Sequence, residues 1–211
     1  VASTPGENGG AGAPALSDSP TDTIALLGTS ADPPTRGHQA LLEGLCKQFP
    51  RVATWASDNP SKQHVIELNQ RLELLGALVQ AINNPRLELV QELSSPFAVT
   101  TVTRAEQRWP GLDLCFVVGS DLISQIPRWK DASTLLGRCR LAIVPRQGWP
   151  LQDADLKRLR SLGGRLEILP LGIPGTASSE IRSRAAASQI PDALEPLLLK
   201  HNFYGFTRGN D

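Results

Sequence analysis

Thr23-Ile24-Ala25-Leu26-Leu27-Gly28-Thr29-Ser30 is a short apolar run closed by a glycine and two hydroxyl residues. A run of this length, bounded by turn residues, suits a strand buried on both faces. Asp32-Pro33-Pro34 follows, and a new periodicity begins at Arg36. From there Ala40, Leu41, Leu45 and Phe49 fall on one face of a helix expected over 36–48. A strand that turns at Gly28 into a helix is the first half of a strand–helix–strand unit.

The same alternation continues along the chain. Residues 51–56 read as a second strand, and 63–82 as a helix carrying Val65, Leu68, Leu72, Leu75 and Val79 at helical spacing. A third strand is expected at 87–90 and a helix near 99–109. The strongest strand is 112–118, closed by Gly119, and another lies at 140–144 before Pro145. A helix over 155–162, a strand over 166–169, and helices over 178–187 and 192–201 complete the pattern. There is no internal repeat. Strands alternating with helices imply a parallel sheet covered on both faces, with right-handed crossovers. In such sheets ligands bind beyond the carboxyl ends of the strands. Functional residues should therefore follow strands.

Composition bounds the function. The chain has 211 residues, 40% of them hydrophobic, and its 21 basic and 21 acidic side chains cancel. One compact domain is the simplest reading, and at this size about 70% of the unfolded surface can be buried. Zero net charge argues against a nucleic-acid partner held mainly by phosphate attraction. No apolar stretch reaches the ~20 residues that span a bilayer; the best, 72–82, carries Glu73 and Gln80. Cys46, Cys115 and Cys139 are scattered without a C-x-x-C pair, so reduced, buried thiols and a cytoplasmic location are expected. Residues 1–21 are dominated by Gly, Ala, Pro and Ser and lack aromatics, which reads as a disordered tail. That tail has neither the basic start and apolar core of a signal peptide nor any Arg for a transit peptide. The domain is placed at 22–206, with a short C-terminal tail at 207–211.

Two segments stand out chemically. Gly28 to His38 is neither G-x-x-x-x-G-K-[ST] nor G-x-G-x-x-G. Its small residues nevertheless let backbone N–H groups approach an anion, at a helix N-terminus that favours negative charge. Thr35 and His38, three apart, share the first turn and offer hydroxyl and imidazole donors to phosphate oxygens. A plain helix cap at Thr35, with His38 bonded to a nearby backbone group, would explain the same residues. The second segment is Thr176-Ala177-Ser178-Ser179-Glu180-Ile181-Arg182, after Pro174 and Gly175. Two serines opening a helix, with Arg182 one turn on, make either a polyphosphate clamp or an ordinary cap beside a surface Arg.

Together these segments resemble the (H/T)-x-G-H and I-S-S-T-x-I-R signatures of the nucleotidylyltransferase superfamily. Gly119-Ser120-Asp121 followed by Trp129-Lys130 looks like a segment of its nicotinate mononucleotide adenylyltransferase family. Asn59-Pro60-Ser61-Lys62 with Arg71, Phe97-Ala98-Val99 and Arg146-Gln147-Gly148-Trp149-Pro150 also fall where that family has similar segments. The departures are Thr35 for His, Ala31 for Phe, Thr176-Ala177 for Ile-Ser, and Pro96-Phe97 for Ser-Tyr.

The resemblance implies a Rossmann-like, doubly wound α/β fold. It also implies transfer of the adenylyl group of ATP to nicotinate mononucleotide, giving deamido-NAD and pyrophosphate in NAD biosynthesis. On that basis His38 and Thr35 would hold the reacting phosphates, and Ser178, Ser179 and Arg182 the leaving pyrophosphate. Gly28, Thr29 and Ser30 would approach ATP through their backbone, and Asp121 with Gly119 would take an adenosine ribose hydroxyl. Trp129 would stack on the pyridine ring, with Phe97 and Ala98 at its acid end and Arg146 on the mononucleotide phosphate. Asp121 as a cap, Trp129 as core and Arg146 as a surface ion pair are the plainer alternatives. Mg²⁺ is expected with ATP rather than in a protein metal site. His64 and His201 read as isolated structural or surface residues, and the run from Lys157 to Arg160 as a solvated helix face. A homo-oligomer is compatible with the sequence. The competing functions are a sister pantetheine-phosphate adenylyltransferase, which Thr35 favours, and a nucleotide-binding module without catalysis.

Overall fold

The computed structural model describes residues 22–59, 62–171 and 187–206. The elements are β1 (Thr23–Thr29), α1 (Arg36–Gln48), β2 (Arg51–Ala56), α2 (Leu68–Ile82), β3 (Leu87–Leu89), α3 (Ala98–Arg108), β4 (Asp113–Gly119), α4 (Ala132–Arg138), β5 (Arg140–Val144), α5 (Asp153–Ser161), β6 (Arg165–Ile168) and α6 (Glu195–His201). The strands form one parallel sheet in the order β3-β2-β1-β4-β5-β6. The chain winds outward from β1 to β3, then returns to place β4 against β1. That reversal is the switch point where open α/β sheets bind ligands.

The pleat sorts the core into two layers. In β1, Ala25 and Leu27 pack with Leu42 and Leu45 of α1, Leu74 and Leu78 of α2, and Leu198 of α6. Ile24 and Leu26 point the other way, toward Val102 of α3, Leu135 of α4 and Leu159 of α5. β1 is thus buried on both faces, as its unbroken apolar run requires. Cys46, Cys115 and Cys139 are buried and unpaired, and burial pushes the Cys115 and Cys139 thiols up to about 12. No helix of the described residues is long and apolar enough to cross a membrane.

Several sequence expectations shift. On α1, Ala40 is exposed, and Leu42 and Cys46 take the inner face beside Leu45. Alanine has little surface to lose, so its position marks a face poorly. α2 begins at Leu68 rather than 63, leaving Val65 59% exposed. The Val65 N–H bonds the Asp32 carboxylate at 2.9 Å, a tertiary contact that local periodicity does not register. The expected helix over 192–201 divides into a 3₁₀ turn, Asp192–Leu194, and α6. Pro196 explains the break, because it lacks an N–H and is tolerated only in a helix's first turn. α4, only seven residues long, is too short to leave a helical periodicity in the sequence. The tails and the expected helix over 178–187 lie outside the described residues.

Candidate active site

The carboxyl ends of β1, β4 and β5 open on a cavity of about 910 Å³. Every candidate residue in the described part lines it. Gly28, Thr29, Ser30, Thr35 and His38 come from the β1–α1 segment, and Phe97 and Ala98 from the start of α3. Gly119, Asp121 and Trp129 follow β4, and Arg146 follows β5. Ser178, Ser179 and Arg182 lie outside the described residues.

The α1 N-terminus is built as a reciprocal cap. The Thr35 hydroxyl accepts from the His38 N–H at 3.3 Å, and His38 Nδ1 accepts from the Thr35 N–H at 3.0 Å. Thr35 is fully buried and its Oγ1 lies 2.9 Å from the same ring nitrogen, so its hydroxyl is engaged within the cap. The capping explanation is therefore correct as geometry, and it is also what prepares the site. A ring nitrogen that accepts a backbone N–H carries no proton, so the neutral imidazole bears its proton on Nε2. Burial, then the nearby Arg146 and Lys62 cations, lower the His38 pKa to about 4. The imidazole is accordingly a neutral hydrogen-bond donor at neutral pH.

This gives a direct expectation. The His38 ring should titrate near pH 4 by NMR, against about 6.5 for a free histidine. The folded state binds fewer protons than the unfolded chain between these values. Its His38 contribution to stability is then present above about pH 6.5 and lost as pH falls through about 4. A His38 midpoint near 6.5 would contradict the cap geometry.

Beneath the β1–α1 loop lies a buried polar cluster. Asp32 accepts from the Val65 N–H at 2.9 Å and from the Tyr204 hydroxyl at 2.7 Å, and His64 Nδ1 stands 3.5 Å away. Arg71, 2% exposed, donates to the Ser30 and Ser57 carbonyls at 2.8 Å each. These groups fix the loop backbone from below, while the Lys62 ammonium reaches the Ser30 hydroxyl at 3.3 Å. His64 is thus neither isolated nor on the surface: it lines the cavity against Asp32. His201 stacks on Phe203 at 5.0 Å, away from the cavity.

Two glycines stand in close contact with neighbouring side chains. A Cβ on Gly28 would stand 2.7 Å from the Trp55 indole, and one on Gly119 would stand 2.3 Å from Asp121 Oδ1. The Asp121 carboxylate therefore packs against a bare Cα, and its Oδ2 pairs with Arg146 Nη1 at 3.0 Å. Asp121 makes no helix cap, and Arg146 is an ion pair inside the cavity rather than on an open surface. Ser120 pins the loop beyond β5 by accepting from the Arg146 N–H at 3.0 Å and donating to the Trp149 carbonyl at 2.7 Å.

An aromatic row floors the far end. Trp55 and Phe116 have centroids 6.5 Å apart, and Phe116 meets Trp129 edge-on at 6.4 Å. Trp129 is half-buried, leaving surface for the cavity. Sequence reasoning missed Trp55, Asp32 and His64 as members of this site. The available signal was position, since Trp55 lies next to the end of β2 and pairs with Gly28 on the neighbouring strand.

Comparison with known proteins agrees with this architecture. Residues 26–184 match the family model described as Cytidylyltransferase-like. A Synechocystis protein named "Probable nicotinate-nucleotide adenylyltransferase" is 37% identical over 197 residues, which cover 86% of this chain and 98% of that protein. The Bacillus subtilis nicotinate-nucleotide adenylyltransferase is 30% identical over 63% of this chain and 77% of its own. Among solved structures, Plasmodium falciparum nicotinic acid mononucleotide adenylyltransferase complexed with NaAD superposes with a TM-score of 0.73 at 19% identity. That match covers 88% of this chain and 98% of the other, and it supports the fold. The structural match shows the fold, and by sequence this chain belongs to the nicotinate-nucleotide adenylyltransferase family.

Proposed function

We propose that this protein transfers the adenylyl group of ATP to nicotinate mononucleotide, forming deamido-NAD and pyrophosphate. The observation that carries the reading is the neutral His38 imidazole, locked by its cap at a helix N-terminus, in a cavity whose other end is aromatic. The cavity is also lined by Lys62, Arg128, Lys130 and Arg146. Its carboxylates, Asp32 and Asp121, are already engaged within the protein. Excess positive charge of this kind suits two phosphate-bearing substrates.

The chemistry is a displacement at phosphorus. A mononucleotide phosphate oxygen forms a bond to the α-phosphorus of ATP, and the bond from that phosphorus to the bridging oxygen of pyrophosphate breaks. Alignment and charge stabilisation supply most of the acceleration, with little covalent help needed. The His38 Nε2–H would donate to phosphate oxygens as charge shifts in the transition state, and Thr35 would position that ring. The backbone of Gly28, Thr29 and Ser30, held by Arg71, would border the nucleotide. Asp121 has a carboxylate oxygen to offer a ribose hydroxyl, and Arg146 keeps guanidinium donors beyond its Asp121 bond for a phosphate. Ser178, Ser179 and Arg182 would take the pyrophosphate, by their motif. Trp129 would stack on the pyridine ring, with Phe97 and Ala98 at its acid end. Among the described residues no cluster of His, Cys, Asp or Glu fits a resident metal. Mg²⁺ would enter with ATP, bound through phosphates and water.

Parallel turnovers with MgATP and nicotinate mononucleotide, nicotinamide mononucleotide or phosphopantetheine test the reading. Pyrophosphate and an adenylylated product are expected mainly from nicotinate mononucleotide. Product mainly from phosphopantetheine would move the protein to the sister activity. ATP binding without turnover of any acceptor would leave a binding module.

A further inference from the structure

The C-terminal part of the chain returns to the β1–α1 segment and holds it at two points. At the first residue of α1, Arg36 donates to the Ser188 carbonyl at 3.0 Å and to the Asp192 carboxylate at 2.6 Å. In the loop before α1, Asp32 Oδ1 accepts from the Tyr204 hydroxyl at 2.7 Å. The two contacts differ in kind. The Asp192 side chain is 88% exposed, so its ion pair stands in water and contributes little. Asp32 is 1% exposed, and a buried carboxylate depends on the donors that the protein supplies. Those donors include the Tyr204 hydroxyl on Oδ1, and the Val65 N–H on Oδ2 with the His64 ring beside it.

The segment that carries Tyr204 is bent to bring it there. Asn202, Tyr204 and Gly205 have φ of 53°, 53° and 75°. Asparagine and glycine adopt this left-handed region readily, whereas a bulky tyrosine rarely does. Such a conformation persists where the surrounding contacts over-determine it, and it marks places where position matters. The contacts are present: Phe203 is buried, Tyr204 and Phe206 pack on the core layer that faces α1 and α2, and the Phe203 and Tyr204 rings meet edge-on at 6.3 Å. Asp32, the far end of the bond, lies between Ser30 and Thr35. Its place therefore bears both on the loop backbone and on the capped start of α1 that carries His38.

We infer that Tyr204 is a positioning residue for the nucleotide: through Asp32 it holds the β1–α1 loop in the shape that receives MgATP, and so makes the C-terminal end of the chain part of the active site. The inference rests on the placement of ATP at that loop under Proposed function, and adds the residue that keeps the loop ready. The acceptor end of the cavity is built on other segments, with Phe97 and Ala98 at the start of α3 and Trp129 after β4. Loss of the Tyr204 hydroxyl should therefore weaken ATP and spare the acceptor. Linkage makes the effect reciprocal. If the Tyr204–Asp32 bond favours bound ATP by some factor, bound ATP favours the bond by the same factor.

The test compares the full-length chain with Y204F and, as a control, D192N, measuring the Kd of MgATP by calorimetry and the KM of each substrate. Y204F keeps the ring and removes the hydroxyl. It should weaken MgATP about tenfold, the low end for one hydrogen bond to a charged group, and leave the KM of nicotinate mononucleotide within about twofold of the parent's. D192N, which removes the exposed ion pair, should match the parent in both. Tyr204 is the chain's one tyrosine. The unmutated protein, isotopically labelled at tyrosine Cζ, therefore gives one NMR signal that reports this hydroxyl. Its proton should exchange with water about tenfold more slowly when a non-hydrolysable ATP analogue saturates the site. A Y204F protein that binds MgATP as the parent does overturns the inference, as does an equal loss for both substrates, which is what a structural role would give. An exchange rate that the analogue leaves unchanged overturns it even where Y204F fails to fold. A parent that binds MgATP but adenylylates no acceptor overturns the functional reading, and the binding comparison still decides this inference. A parent that binds no MgATP overturns both.

Discussion

His38→Ala should lower kcat by about 10²–10³, the range for removing one donor aimed at transition-state charge. The substitution removes two things at once, because His38 Nδ1 also accepts the Thr35 N–H at 3.0 Å. His38→Gln separates them. A glutamine three residues after a Thr cap can reach back to the same N–H, as the capping box commonly uses. The Gln variant should therefore regain most of the ~1 kcal/mol that a lost cap costs. It should still turn over more than tenfold slower than the parent, having lost the imidazole N–H at its fixed position. Thermal melts and steady-state rates on the same samples provide both readings. Turnover in His38→Ala close to the parent's would remove His38 from the mechanism.

The largest expected effect on stability is at Arg71. Arg71 is 2% exposed and its guanidinium bonds the Ser30 and Ser57 carbonyls at 2.8 Å each; burial lowers its pKa, and the Asp32 charge opposes that shift. Arg71→Leu would fill similar space but strand two carbonyls and leave Asp32 without that nearby cation. The expected loss is about 2–5 kcal/mol, from roughly 1–3 kcal/mol for each buried carbonyl left without its donor. For a domain of this size that corresponds to a melting shift of roughly 10 °C. Activity should fall further than the folded fraction does, because the β1–α1 loop loses its support from below. A melt within about 1 kcal/mol of the parent would show that the loop does not depend on this residue.

The sheet was legible in the sequence because parallel strands buried on both faces leave unbroken apolar runs. β1, β2 and β5 lie where those runs do, and Gly28 and Gly119 mark the strand ends that open on the cavity. Elements failed to show where their residues answer to distant partners. Residue Val65 sits outside α2 because its N–H belongs to Asp32, and Pro196 sets the start of α6 more firmly than the flanking leucines do.

The site was legible to the extent that its groups follow strands within short motifs. Thr35 and His38 could be paired by spacing, but spacing left a cap and a phosphate site as rivals. In the folded protein they are one device, in which the cap fixes the tautomer that turns Nε2–H into the donor. Asp32, His64 and Tyr204 could not be joined from the sequence, since the Asp32–Tyr204 bond spans 172 residues. Trp55 was hidden for a similar reason: its indole excludes a side chain at Gly28 from the neighbouring strand.

The most direct test of the account follows the phosphorus. ATP labelled at its α-phosphate, or separately at its γ-phosphate, is incubated with the protein, Mg²⁺ and nicotinate mononucleotide, and the products are separated. Adenylyl transfer places the α label in deamido-NAD and the γ label in pyrophosphate, with one dinucleotide formed per pyrophosphate. Label released as inorganic phosphate with ADP, or no dinucleotide while ATP remains bound, would contradict it.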